Sequence, residues 1–449
     1  MSTENPTPYS AESFDFVSCE YLPETATASL RYAVGDISFE ERLVFVDAPS
    51  KLSPAQLEAV NHCLYYLHIA TGVSYYKAFL PPRIKVKTRP MSKLAAGFFN
   101  DFYLKGLGEF AYLNNLDLRN RIHFPYNSDA APDPAELTLP RVTGVPVGGG
   151  KDSSVTLESL KRHKEPIMAL SVGYHRSIDD TAAVAGVPLI HIKRLLSPNL
   201  FELNKQGALN GHVPVTGILS FIFVIAAVLY GFDTVAMSNE RSANIGNLDI
   251  DGFKVNHQWS KSEEFEVAFA ELLKTEMLPS LQYFSFLRPL SELSIAKIFS
   301  ELTDYHGSFT SCNKAFRIND GMDARWCGDC DKCRFVFLIL APFLSREALV
   351  GIFGSDLLQD KDQLASFREL LGIQGQKPFE CVGEIEESIA ALALLTRHPE
   401  WQNNTTISEL LEQLHISPTT ADSYIKKYLT KNEVSWMPDR YKKVLDAIT

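Results

Sequence analysis

An α/β fold with a parallel sheet is predicted by three observations on this 449-residue sequence. From Arg141 onward, short apolar runs alternate with helical patterns. A glycine-rich loop, Val147 to Ser154, joins one such run to a helix. Four cysteines then crowd between Cys312 and Cys333, beyond the last predicted strand. Strands that alternate with helices are joined by crossovers, and crossovers make the sheet parallel and cover both its faces.

The elements follow in order. Residues 1–139 mix strand-like stretches (ATASLRYAV, ERLVFVDA) with a helical pattern from Ser53 to Ala70, so an α+β region is expected. It closes on YNSDAAPDPAELTLP, a run of Pro and Asp without apolar period that reads as a linker. RVTGVPVGG is the first buried strand of the next region and SSVTLESLKRH its helix. PIMALSVG, VPLIHIKR and FDTVAMS supply three further strands, with DDTAAVAG and the stretch from Thr216 to Tyr230 as helices. Thr216 is the expected cap of the latter. The parallel-sheet region spans 140–345. Residues 346–449 read as helical, ending in TISELLEQLHISPTTADSYIKKYL, whose break at His415 suits a packed helical hairpin better than a DNA-reading pair.

Composition narrows the classes. Hydrophobic residues are 45% and charged residues 22%, the balance of a globular protein in two or three packed units. With 43 Lys and Arg against 54 Asp and Glu, the net charge of −11 argues against nucleic acid as the main partner. The longest apolar run, LSFIFVIAAVLYGF, is too short to span a bilayer, and MSTENPTPYSAESFDF has no export signal. No membrane partner is expected, and the compartment reads as cytoplasm. Seven cysteines, unevenly spaced, then point to metal binding rather than a disulfide framework.

The loop Gly148-Gly149-Gly150-Lys151-Asp152-Ser153-Ser154 carries the sharpest chemistry. Glycines let backbone amides approach an anion, and the helix start adds positive partial charge. Ser153 and Ser154 offer hydroxyls, and Asp152 is placed to hold Mg2+ against phosphates. A Walker loop is excluded, because Asp152 follows Gly-Lys and Val145 stands at the upstream glycine position. A dinucleotide fingerprint is excluded by Ser153. The loop resembles that of the ATP pyrophosphatases, Ser-Gly-Gly-x-Asp-Ser, with Gly148 replacing the first Ser. That resemblance implies an adenine nucleotide alpha-hydrolase-like core that grips pyrophosphate.

Cys312, Cys327, Cys330 and Cys333 suffice for a closed tetrahedral zinc site, a structural one because no position is left for water. Buried free thiols and a three-cysteine iron–sulfur site are the alternatives. The arrangement resembles the zinc site of 7-cyano-7-deazaguanine synthase, itself an ATP pyrophosphatase.

Other polar segments are candidates with bland alternatives. Asn239, Glu240 and Arg241 follow the fourth strand at its carboxyl end, where open parallel sheets bind ligands; a solvated loop is the alternative. His212 lies between glycines and Pro214. His257, Lys261 and Glu263 crowd one stretch, where Ser262 with Glu266 is equally consistent with a helix start. Arg288 suits an anionic substrate or an ion pair.

The order VGGGKDSS, NGHVP, SNERSAN, NHQWSKSEEFE, FLRPLSEL and SCNKAF…WCGDCDKCRF is similar to the UDP-N-acetyl-alpha-D-muramoyl-L-alanyl-L-glutamate epimerase family, most closely over 140–345. The resemblance implies inversion of a terminal L-Glu on a UDP-N-acetylmuramoyl dipeptide, with ATP and Mg2+ consumed through an acyl-adenylate. Acid and base groups are then sought among His212, Glu240, His257, Lys261 and Glu263, and substrate contacts at Asn239, Arg241 and Arg288. Cofactor-free amino-acid racemases often use two thiols, which makes a cysteine pair an alternative, although Cys19, Cys63 and Cys381 sit in no motif. Two other readings compete: nitrile, amide or tRNA-thiolation chemistry on the same core, and a nucleotide-sensing regulator using Lys426, Lys427 and Lys431 on DNA.

Overall fold

Alternate residues of the central strands enter opposite cores. In the computed structural model, which describes residues 11–130, 132–315, 325–375, 377–434 and 436–449, Leu170, Val235 and Tyr283 belong to one core. Their strand neighbours Ala169, Ala236 and Phe284 belong to the other. This period of two is the signature of a sheet covered on both faces. The first ten residues, Ala131 of the linker and Phe316 of the SCNKAF motif lie outside the described residues.

The strands are β1 (Ser13–Leu22), β2 (Thr27–Val34), β3 (Ile37–Phe45), β4 (Arg83–Val86), β5 (Thr143–Pro146), β6 (Ile167–Val172), β7 (Leu189–Leu195), β8 (Thr234–Met237), β9 (Leu248–Ile250), β10 (Phe253–Val255) and β11 (Gln282–Ser285). Nine form one sheet in the order β11-β8-β5-β6-β7-β3-β2-β1-β4, and β9 and β10 form a separate ribbon. From β11 to β7 all pairs are parallel, as the alternation predicts. The 1–139 region does not build a sheet of its own. Its β3 pairs antiparallel with β7, Arg42 opposite Leu195, so β1–β4 extend the central sheet.

Helices cover both faces. Pro54–Thr71, Lys93–Gly106 and Val215–Tyr230 fill the first core, and Lys151–Arg162, Glu292–Ser300, Asp331–Leu340 and Ile385–Leu395 the second. Pro54–Thr71 starts at a capping box, in which the Ser53 hydroxyl accepts from the Gln56 amide while the Gln56 side chain accepts from the Ser53 amide. Val215–Tyr230 is apolar almost all round, hence buried, and stops at Gly231 in the left-handed conformation (φ 75°). Its N-cap is Pro214 rather than Thr216, which sits inside the first turn. Among the described residues, no helix is long and apolar enough to cross a membrane.

The C-terminal pair Thr405–Leu414 and Pro418–Leu429 breaks at His415 (φ 49°). Ile407, Leu410, Ile425 and Tyr428 pack into the second core, which makes the pair a helical hairpin.

The chain runs outward from β5 through β6 to β7, then returns to the other side of β5 to form β8. The crevice beyond the carboxyl ends of β5 and β8 is therefore the switch point where such sheets bind ligands.

Candidate active site

A cavity of about 510 Å3 opens at that switch point. Gly148, Gly150, Asp152 and Ser153 form one side, and Asn239, which follows β8, meets them there. A Cβ on Gly148 would meet no atom within 4 Å, so this residue presents bare backbone to open space. Gly149 turns the other way, with φ +79° and Ser177 occupying the space a Cβ would need. The helix Lys151–Arg162 begins immediately after, with Gly150 as its N-cap and no side-chain cap bond. Bare amides at a helix start, facing an open cavity, are the physical requirement for cradling phosphate.

Not every loop side chain reaches the cavity. Lys151 is 1% exposed, and its ammonium binds Asp152 and Glu292 inside the protein. The Ser154 hydroxyl donates to the Gly150 carbonyl at 3.0 Å, and that of Ser153 donates to the same oxygen at 3.2 Å. Lys151 is thus a counter-charge for carboxylates. Burial raises the Asp152 carboxyl, while Lys151 opposes the shift. Glu240 is pushed up to about 7, first by burial and then by the negative charge of Glu292. Oxygens of Asp152, Glu240 and Glu292 lie within 4.8 Å of one another, a spacing a hard divalent cation fits.

A second polar group borders the same cavity. Lys261 and Cys381 both line it, and Lys261 Nζ donates to Cys381 Sγ at 3.3 Å. His257 hydrogen-bonds Cys381 as well, and its Nδ1 meets the Glu109 carboxylate. His212 lies beside His257, ring centroids 4.5 Å apart, with its Nδ1 3.7 Å from the same carboxylate. Burial would lower His257, but its bonds to Cys381 and Glu109 carry it up to about 9. Burial, joined by the charge of His257, takes His212 down to about 4. Two adjacent imidazoles thus differ in protonation at neutral pH.

The remaining candidates lie behind or beside this cavity. Arg288 is 2% exposed and donates to the carbonyls of Glu240 and Lys261, each at 2.6 Å, and to the Glu266 carboxylate at 2.8 Å. It holds the two backbone segments that carry Glu240 and Lys261. Ser262 does start a helix, capping Glu263–Leu272 by accepting from the Phe265 amide at 3.3 Å. Glu266 accepts from the Ser285 amide at 2.9 Å and from the Trp436 indole at 2.7 Å, and closes no capping box with it. Arg241 and Glu263 face a separate cavity of about 650 Å3. Arg241 is tied there to Asn432 at 2.7 Å and to the carbonyls of Lys427 and Thr430.

The four clustered thiols meet. Cys327 and Cys333 sulfurs are 3.7 Å apart, Cys330 and Cys333 3.4 Å, and Cys312 and Cys330 4.0 Å. Tetrahedral Zn–S bonds of about 2.3 Å require sulfurs about 3.8 Å apart, so the cluster fits zinc. Cys312, Cys333 and the adjoining Trp326 are buried in the second core.

Comparison with known proteins places this architecture. Residues 5–286 match the family model described as MurL N-terminal domain, and residues 308–424 match that of the MurL C-terminal domain. The chain belongs to the MurL family. A curated relative from Xanthomonas oryzae pv. oryzae, named UDP-N-acetyl-alpha-D-muramoyl-L-alanyl-L-glutamate epimerase, is 43% identical over 89% of each chain. Relatives of the same name from Salinispora tropica and a Micromonospora species are 42% and 40% identical, covering 98% and 91% of this chain and 96% and 92% of their own.

Three residues at or near this MurL-family cavity, Glu109, Glu292 and Lys332, escaped the sequence reading, and a fourth, Cys381, entered it only as a member of an unassigned thiol pair. Glu292 lies in FLRPLSEL and Lys332 between cysteines of the cluster, so both stood inside recognised motifs. Glu109 and Cys381 stood in none. They lie 148 and 120 positions from His257 and Lys261, the partners that give them meaning.

Proposed function

We propose that the chain inverts the terminal L-Glu of UDP-N-acetylmuramoyl-L-alanyl-L-glutamate to D-Glu in peptidoglycan precursor synthesis. The reaction uses ATP and passes through an acyl-adenylate, releasing AMP and pyrophosphate. The observation that carries the reading is the shared name of three relatives, each at least 40% identical over nearly the whole chain. The glycine loop at the switch point supports the ATP-pyrophosphatase part of it.

An α-proton beside a free carboxylate is held tightly, because its removal makes a dianion. Joining the carboxylate to AMP removes that charge and makes the carbonyl an electron sink. Gly148 and Gly150 amides take the departing pyrophosphate, where preorganised donors lower the barrier without reorganisation. Asp152, Glu240 and Glu292 would hold Mg2+, which supplies counter-charge to phosphate oxygens. Zinc on the four cysteines would staple the cluster to the second core without touching the reaction. Lys261 lines the cavity in which proton transfer must occur, and Glu240 is buried beside it. In this reading residues 140–345 form the nucleotide-activating unit. The 1–139 region contributes Glu109, and the 346–449 region Cys381.

The test uses purified protein, ATP, Mg2+ and the L-Glu dipeptide substrate in heavy water. D-Glu carrying one solvent deuterium, with AMP formed only when both substrates are present, is the expected result. Absence of both exchange and AMP would overturn the reading.

A further inference from the structure

We propose that Cys381 is one of the two groups that move the α-proton, its sulfur taking that proton from one face of the activated glutamyl residue. The inference rests on the reaction proposed above and adds a group that no motif marks.

Three cysteines lie outside the four-thiol cluster, and their surroundings differ. Burial pushes Cys19 up to about 11 and Cys63 up to about 12, so both are thiols at neutral pH. Cys381 shares a cavity with the glycine loop instead. Lys261 Nζ reaches its sulfur at 3.3 Å, His257 hydrogen-bonds it, and the Lys332 ammonium holds its backbone carbonyl. Glu109 anchors the far side of His257. The result is a row of carboxylate, imidazolium and thiolate, flanked by an ammonium, that ends in the cavity where the adenylate must form.

Charged groups face Cys381 from several segments of the chain. Lys261, His257, Lys332 and Lys377 are positive, and Glu380 is negative. Burial alone would raise the thiol; Lys261, the His257 hydrogen bond and Lys332 outweigh it and bring it to about 5. A base must be deprotonated before substrate arrives, and this arrangement keeps the sulfur anionic at neutral pH.

The step balances without an added reagent. The α C–H bond breaks, its proton passes to Sγ, and its electron pair moves onto the acyl carbonyl as an enolate. A second donor on the opposite face then forms the new C–H bond as that pair returns. Lys261 and His257 act through the sulfur and are positioning residues.

The experiment separates this proposal from the reaction it rests on. Wild-type, Cys381→Ala and Cys381→Ser proteins receive ATP and either the L-Glu or the D-Glu dipeptide in heavy water. AMP release and α-deuterium are then read separately. Both variants should release AMP within a few-fold of wild type, while epimerisation falls at least about 100-fold, the lower range for a positioned acid–base group. Exchange should vanish from one stereoisomer and persist in the other, a split no purely structural defect produces. Undiminished epimerisation overturns the proposal. So does loss of AMP release in both variants at unchanged thermal stability, which would assign Cys381 to activation. A covalent acyl adduct on Cys381 in the intact mass would make it a nucleophile and overturn it too. Failure of the wild-type protein to form AMP strikes the overall reaction instead. Iodoacetamide then still tests the sulfur: at pH 6.5 Cys381 should alkylate well before Cys19, and equal rates overturn the thiolate.

Discussion

Two adjacent glycines should respond oppositely to the same methyl group. At Gly149, φ is +79°, a region that disfavours a side chain by about 1–2 kcal/mol. The new Cβ would also overlap the Ser177 hydroxyl and sit 2.8 Å from Ser177 Cβ and 2.9 Å from its carbonyl carbon. Rotating Ser177 relieves the first contact only, so the loop or the start of helix Arg176–Ala185 must shift. Overpacking of this kind costs about 1–3 kcal/mol, which puts Gly149→Ala at about 2–5 kcal/mol of lost stability. At Gly148 the Cβ meets nothing within 4 Å, so stability should stay within about 0.5 kcal/mol of wild type. That methyl would instead fill the space assigned to phosphate. Its effect should appear as a rise in KM for ATP of at least about tenfold, or about 1.4 kcal/mol. Urea unfolding and ATP-dependent AMP release read the two quantities independently. Adding Ser177→Gly should restore part of the stability lost by Gly149→Ala, because it removes two of the three contacts but leaves φ and the backbone contact. A Gly148→Ala protein with wild-type KM for ATP would refute the cradle. A Gly149→Ala protein of unchanged stability would refute the strain argument.

Other expected outcomes follow from the same geometry. Asp152→Asn should stop pyrophosphate release while leaving the thermal transition near wild type, because Glu292 remains to pair with Lys151; retained release would remove Asp152 from the site. Metal analysis of protein purified without chelator should find about one zinc per chain, and Cys327→Ser should lower both that content and the unfolding temperature. His68 is fully buried and its ring is lowered by burial to about 4, below the ordinary value near 6.5. A base with a depressed folded pKa contributes stability above the unfolded value and loses it as pH falls through the folded one. Going from pH 7 to pH 5 should therefore cost about 2 kcal/mol at this position. Urea midpoints at the two pH values should show a shallower fall in His68→Gln, and an identical fall would exclude His68 as the cause.

What the sequence reveals here is periodicity and local chemistry, and what it hides is side-chain direction and distant pairing. The stretch from Thr216 to Tyr230 matches helix Val215–Tyr230 because an all-apolar run followed by glycine leaves few other options. The parallel strands β5 to β8 follow from alternation alone. The attachment of β1–β4 to the same sheet depends on β3 meeting β7, about 150 residues away, and no local pattern encodes that meeting. Direction is hidden for a related reason. Lys151 and Arg288 read as phosphate and substrate groups because they are cations in motifs. Yet Lys151 is folded onto Asp152 and Glu292, and Arg288 onto Glu266 and two backbone carbonyls. A buried cation needs a partner, and the partner's position in the fold decides which way the side chain turns. Cys381 is the converse case. An isolated cysteine in a Pro-, Phe- and Glu-bearing loop carries no motif, and its chemistry is conferred by Lys261 and His257 from another part of the chain. Thiol reactivity is a property of the surrounding charge, so only the folded chain could distinguish this sulfur from those of Cys19 and Cys63.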